Sequence, residues 1–180
     1  MTEAWPDPAF PPSAEMERTL AALEHARRDP GLDADIRALL DQAHAALRTA
    51  IDETESERLR YTALFDAVPD PVSILAWDGT VLDLNKAGMA AYKRPRNEIV
   101  GQPIEVLNPD LPKDHMVPVW EALSRGETYA VEVANMRGDG SRFPVEVHTA
   151  GFDYKGSKCM VAVARDLSKR WQAETRYRLL

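Results

Sequence analysis

From residue 71 onward the apolar residues change their spacing, and this change limits the fold more than any other feature of the chain. Before it, apolar side chains recur every three or four positions; after it, they run in short blocks or alternate, the period of two that a half-buried strand requires. Residues 72–77 form an apolar run closed by Asp78-Gly79, a hairpin turn pair, and residues 80–85 follow as the partner strand. Three further strand segments, 128–136, 142–152 and 158–165, are separated by Gly138-Asp139-Gly140 and by Tyr154-Lys155-Gly156. In the middle one Phe143, Val145, Val147 and Thr149 alternate with Pro144, Glu146, His148 and Ala150, so one face is greasier than the other. Between the hairpin and these strands, residues 86–92, 96–100, 104–107 and 115–124 read as short helical pieces, two of them stopped by Gly101 and Gly126. The expected fold is α+β: a five-stranded antiparallel sheet with short helices on one face.

The flanks are helical. Residues 1–12, with Pro6, Pro8, Pro11 and Pro12, are expected to be a disordered lead, and their lack of a basic or apolar run argues against a signal peptide or anchor. Residues 13–55 carry two amphipathic stretches separated by Asp29-Pro30-Gly31, the second with Ile36, Leu39, Ala43 and Leu47 on one face. A helical hairpin of this kind must bury its stripe, either as a cap on the following domain or as a dimer interface. The compact domain is expected over residues 56–168. Residues 169–180 begin a C-terminal signalling helix with no stop signal, as though leading to a further domain.

Composition removes several function classes. Of the 180 residues 44% are hydrophobic and 28% charged, enough for an ordinary core. The formal net charge of -7 opposes binding to nucleic acid, and no apolar run is long enough to insert this segment directly into a membrane. The single cysteine, Cys159, permits no internal disulfide or cysteine metal cluster, which fits a cytoplasmic setting. No phosphate-cradling glycine loop, zinc-binding histidine pair or nucleophile elbow is present, so neither a catalytic residue nor a metal site is expected.

Several motifs in order carry a resemblance. They are Leu64-Phe65-Asp66-Ala67-Val68-Pro69-Asp70 ahead of the first strand, Asp78-Gly79, Asn85-Lys86-Ala87, Gly101, Arg137-Gly138-Asp139-Gly140-Ser141, and Arg165-Asp166-Leu167-Ser168 at the exit. Together they resemble a PAS domain over residues 60–169. Gly79, Gly138 and Gly140 are read as turn positions with positive φ, and Asn85 as a helix cap. Asp166 and Ser168 can cap the exit helix, and the resemblance implies that this junction relays a change in the core. It further implies a non-catalytic input module of a two-component or cyclic-di-GMP signalling protein. Such a module is usually a homodimer and feeds a histidine kinase or cyclic-dinucleotide enzyme in the same full-length protein.

What is sensed is open among three readings. In haem-binding members of the family a histidine at a place similar to His115 ligates iron, and imidazole is a good axial ligand. Those members carry a longer stretch where this chain has only residues 127–138, and a lone histidine at a helix start is more often a solvated or capping residue. The light-sensing branch uses a Gly-x-Asn-Cys motif; here the run is Gly101-Gln102-Pro103-Ile104 and Cys159 is elsewhere, which excludes covalent flavin adduct photochemistry. The third reading is a small apolar or amphipathic ligand between sheet and helices. Its expected lining is Ile74, Leu84, Met89, Tyr92, Ile104, Leu107, Trp120, Val133, Val145 and Val161, residues that would equally make a filled core. A ligand-free dimerisation or docking module is the rival.

Overall fold

The computed structural model describes residues 14–28, 30, 33–112 and 114–178, with the side chains of residues 14, 15 and 174–178 left aside. The expected lead, residues 1–12, lies outside the described residues. Two compact units divide the chain, Pro6–Leu64 and the sheet-bearing unit that starts at Phe65.

In the first unit α1 (Ala14–Ala26) is followed by α2 (Ala34–Ala67), a 34-residue helix that runs on without a break through residues 55 and 56 and ends inside the second unit. The turn between them is held by polar contacts: the Arg37 guanidinium donates to the Arg27 carbonyl at 3.3 Å, and Arg27 stands 3.6 Å from Asp41. Ile51 is buried, whereas Ile36 and Leu39 are 49% and 65% exposed, Ala43 is exposed and Leu47 half-buried. Much of the expected stripe therefore faces outward.

The second unit contains the strands β1 (Val72–Ala76), β2 (Val81–Leu84), β3 (Tyr129–Met136), β4 (Arg142–Tyr154) and β5 (Ser157–Asp166). They form one antiparallel sheet in the order β2-β1-β5-β4-β3. The hairpin thus joins the sheet through β1 beside the last strand rather than beside the third, and β2 is an edge strand. Helix α3 (Lys86–Tyr92), 3-10 turns at Arg96–Glu98 and Ile104–Val106, and α4 (Met116–Ser124) fill the connection between β2 and β3. Helix α5 (Ser168–Arg178) leaves the end of β5.

Asn85 ties these pieces together. Wholly buried at the end of β2, it accepts from the backbone N–H of Val72 and Gly88 at 2.9 Å each and donates to the carbonyls of Phe65, Val68 and Asp70 at 3.0 to 3.2 Å. One amide thereby caps α3, pins the start of β1 and receives the chain leaving α2. Gly79 and Gly140 take positive φ as expected, but Gly138 does not. Its requirement is space: a Cβ there would lie 2.6 Å from the Lys93 carbonyl oxygen, because the β3–β4 turn packs on the end of α3 and its Gly138 N–H donates to the Tyr92 carbonyl at 2.8 Å.

Candidate ligand cavity and exit junction

The sheet's inner face is set by strand parity. On β4, Phe143, Val145, Val147 and Thr149 point inward as the alternation requires. On β5 the inward residues are Met160, Ala162 and Ala164, and on β1 they are Ser73 and Leu75. Ser73 pairs with Ala162, Ala162 with Thr149, and Thr149 with Tyr129, so these four residues form one row across the sheet. Because Ser73, Ala162 and Ala164 are short, the sheet leaves room beneath the connection that covers it.

That room is a cavity of about 470 Å³, within the size range of small-molecule pockets. Leu107, Leu111, Met116 and Val119 supply apolar wall from the connecting segment, and Tyr92 and Asn135 stand together in it. The Asn135 amide donates to the Tyr92 hydroxyl at 2.8 Å, and burial pushes the Tyr92 phenol up to about 12. Asn108, also buried, uses its side-chain oxygen to accept from the Asp110 N–H at 3.2 Å.

Of the lining residues expected from sequence, Tyr92, Ile104, Leu107 and Val133 border the cavity. Ile74 and Val161 do not: they pair with each other on β1 and β5 and alternate with the inward residues, so they occupy the opposite face. Leu84 and Val145 are consumed in the packed core, with Met89 against it. Trp120 is turned away to donate its indole N–H to the Trp77 carbonyl at 2.7 Å. Sequence reasoning passed over Ser73, Thr149, Asn108 and Asn135, the polar wall. The signal that could have found Thr149 was its inward phase on β4; Ser73 offered only its alternation with Ile74.

His115 also borders the cavity, at the start of α4, and makes no side-chain capping bond. Its Nδ1 lies 2.7 Å from the Pro112 carbonyl, which can only accept, so Nδ1 donates to it and Nε2 is the nitrogen that an iron would have to take. An Nδ1 held by a backbone carbonyl is how an iron-ligating histidine is oriented. Yet Nε2 is itself buried, 3.6 Å from a Glu105 carboxylate oxygen, and has no hydrogen-bond partner among the described residues. A ligating nitrogen must face open space. No lysine or arginine among the described lining residues would pair with haem carboxylates either, so the residues as placed do not fit a haem. Cys159 lies on β5 out of phase with Met160 and Ala162, and burial pushes its thiol up, the opposite of a reactive cysteine. His148 is exposed on β4, 3.3 Å from Glu146.

At the exit, the Asp166 carboxylate accepts from the Ser168 N–H at 2.7 Å, capping α5 as expected, and holds the Arg137 guanidinium at 3.2 Å. Burial alone would raise Asp166, but the bonds from Ser168 and Arg137 outweigh it and hold its carboxyl below the usual range. Arg137 also donates to the Ala91 carbonyl on α3 and lies 3.7 Å over the Phe143 ring, a cation–π contact. The Tyr92 ring meets that same Phe143 edge-on, centroids 5.6 Å apart. A continuous set of contacts thus runs from the cavity wall at Tyr92 to the first turn of α5.

Comparison with known proteins agrees with this geometry. The family model described as "PAS domain" matches residues 69–169. The PAS domain of an HTR-like protein from Haloarcula marismortui superposes with a TM-score of 0.60 at 27% identity, covering 66% of this chain and 98% of that one. A PAS domain from a two-component sensor histidine kinase gives a TM-score of 0.54 at 15% identity over 63% of this chain and 98% of that domain, a likeness of fold alone. Among curated proteins, the methyl sulfide methyltransferase-associated sensor of Methanosarcina acetivorans is 26% identical over 140 residues, 76% of this chain and 13% of that protein. A protein of Azorhizobium caulinodans is 31% identical over 133 residues, 68% of this chain and 17% of that protein. The chain therefore spans less than a fifth of the length of these two relatives. Among the described residues no helix is long and apolar enough to cross a membrane.

Proposed function

The chain belongs to the PAS domain family, a sensory and not a catalytic module, and from that premise we propose that its cavity binds a small molecule and that the exit junction relays the binding. The observation that carries this reading is the contact set joining cavity to exit helix: Tyr92 on Phe143, Phe143 under Arg137, Arg137 on Asp166, Asp166 on Ser168. A ligand that displaces Tyr92 or competes for the Asn135 amide changes the seat of Phe143 and so the hold of Arg137 on Asp166. The first turn of α5 then loosens or tightens, and the helix passes the change onward.

Around this module we place a cytoplasmic homodimer that pairs through Ile36, Leu39, Ala43 and Leu47 and through α5, with a histidine kinase or cyclic-dinucleotide enzyme as the regulated partner in the full-length protein. The exposure of Ile36 and Leu39 supports pairing, and it equally supports the second reading, a ligand-free docking module. Native mass spectrometry of the purified chain separates the two. A bound small molecule that disappears in Ala162→Phe, which fills the cavity, upholds the sensor. A bare chain that still dimerises and whose α5 amide exchange ignores Ala162→Phe defeats it in favour of docking.

A further inference from the structure

Apart from Asp114 and His115, the polar groups of the described cavity wall are uncharged hydroxyls and amides. Among the described residues no hydrogen bond engages the Ser73 or Thr149 hydroxyl, although both residues are buried to within 7%. They stand two strands apart in one row with Ala162 between them, about 10 Å across at ordinary strand spacing. The Tyr92 oxygen accepts from Asn135, which leaves the phenol hydrogen to donate elsewhere, and the phenol's raised pKa keeps that hydrogen in place at any physiological pH. Among the described lining residues there is no lysine or arginine, and the one carboxylate belongs to Asp114, an exposed residue.

A ligand leaving water for this wall meets apolar carbon and neutral dipoles. Hydroxyl, carbonyl and amide groups exchange their water bonds for Ser73, Thr149 and Tyr92 at little net cost, whereas a carboxylate or phosphate would lose its hydration with no lysine or arginine among the described lining residues to replace it. The Asp114 carboxylate adds repulsion of anions. A cation seated on the sheet floor is also unpaired, since no carboxylate stands among the sheet residues that line it and Asp114 is an exposed residue of the connecting segment. On the reading of this cavity as the sensing site, we infer that it selects an uncharged small molecule with an apolar body and hydrogen-bonding groups, and rejects carboxylates and phosphates.

Three probes of one shape test this on the full chain: 2-naphthol, 2-naphthoate and 2-naphthylmethylammonium at pH 7, titrated by calorimetry. The expected result is a dissociation constant for 2-naphthol at least tenfold lower than for either ion. Binding is lost in Ala162→Phe and in Ala164→Leu, two fillings of the cavity whose circular dichroism establishes that each still folds, and is weakened severalfold in Thr149→Val. Naphthoate or the ammonium binding as tightly as naphthol, with binding still lost in the filled variants, overturns the inference about ligand class and leaves the sensing cavity standing. Binding of no probe that responds to either filling overturns both.

Discussion

Replacing Asn85 with alanine removes more hydrogen bonds than any other single truncation described above, and the structure sets the size of the loss. The side chain satisfies two N–H groups and three carbonyls, and the residue is wholly buried, so water cannot substitute for it. Loss of the cap on α3 costs about 1 kcal/mol. Each buried group left unpaired costs about 1–3 kcal/mol, but the three carbonyls share one donor and relax together, so the parts do not add. A total of about 4 kcal/mol follows, a large share of the ~5–15 kcal/mol that holds a domain folded. Urea unfolding followed by tryptophan fluorescence, with Trp77 and Trp120 reporting from the sheet unit, should show the midpoint falling by more than about 1 M. Asn85→Ser should recover only the cap, about 1 kcal/mol. Asn85→Asp, which turns an oxygen toward three carbonyls, should be as damaging as alanine. A loss below about 1 kcal/mol for alanine, or an aspartate variant as stable as the native chain, would refute the account of Asn85 as the tie between α2, β1 and α3.

Three other outcomes are expected. Gly138→Ala should lower the thermal midpoint by several degrees, corresponding to about 1–3 kcal/mol, because its Cβ meets the Lys93 carbonyl; an unchanged midpoint would remove that contact as the reason for glycine. Asp78, Asp139 and Asp166 are each held below the usual carboxylate range, Asp78 by Thr80, Asp139 by Lys93 and Ser141, and Asp166 by Ser168 and Arg137 against the opposing effect of burial. Their folded pKa values lie below the unfolded ones, so their contribution is fully present above about pH 4 and is lost as pH falls through the lowered values. Amide exchange at the start of α5 should therefore rise in acid, and in Asp166→Asn the acid dependence should be absent; equal acid dependence in the variant would contradict the assignment. Haemin added to the purified chain should give no protein-bound Soret band that responds to His115→Ala; a band lost in that variant would show that the imidazole turns to open its Nε2.

The sequence resolved the strands and left the site half hidden, for one physical reason. Strand ends are announced by backbone chemistry, and Asp78-Gly79 and Lys155-Gly156 closed their hairpins where expected. The inner face of β4 was legible because Glu146 and His148 mark the other side. On β5 the run Met160, Val161, Ala162, Val163 and Ala164 is apolar on both faces, so its phase is written only in its pairing with β1 and β4. On β1 the larger Ile74 drew the choice away from Ser73. Size is the wrong guide at such a place: large side chains fill space, and a cavity survives where small ones face it. Ser73, Ala162 and Ala164 would look like weak core positions in any reading by hydrophobicity. In the fold they are adjacent on one sheet face, and their shortness turns an ordinary α+β core into a chamber whose wall residue Tyr92 connects through Phe143, Arg137 and Asp166 to the first turn of α5.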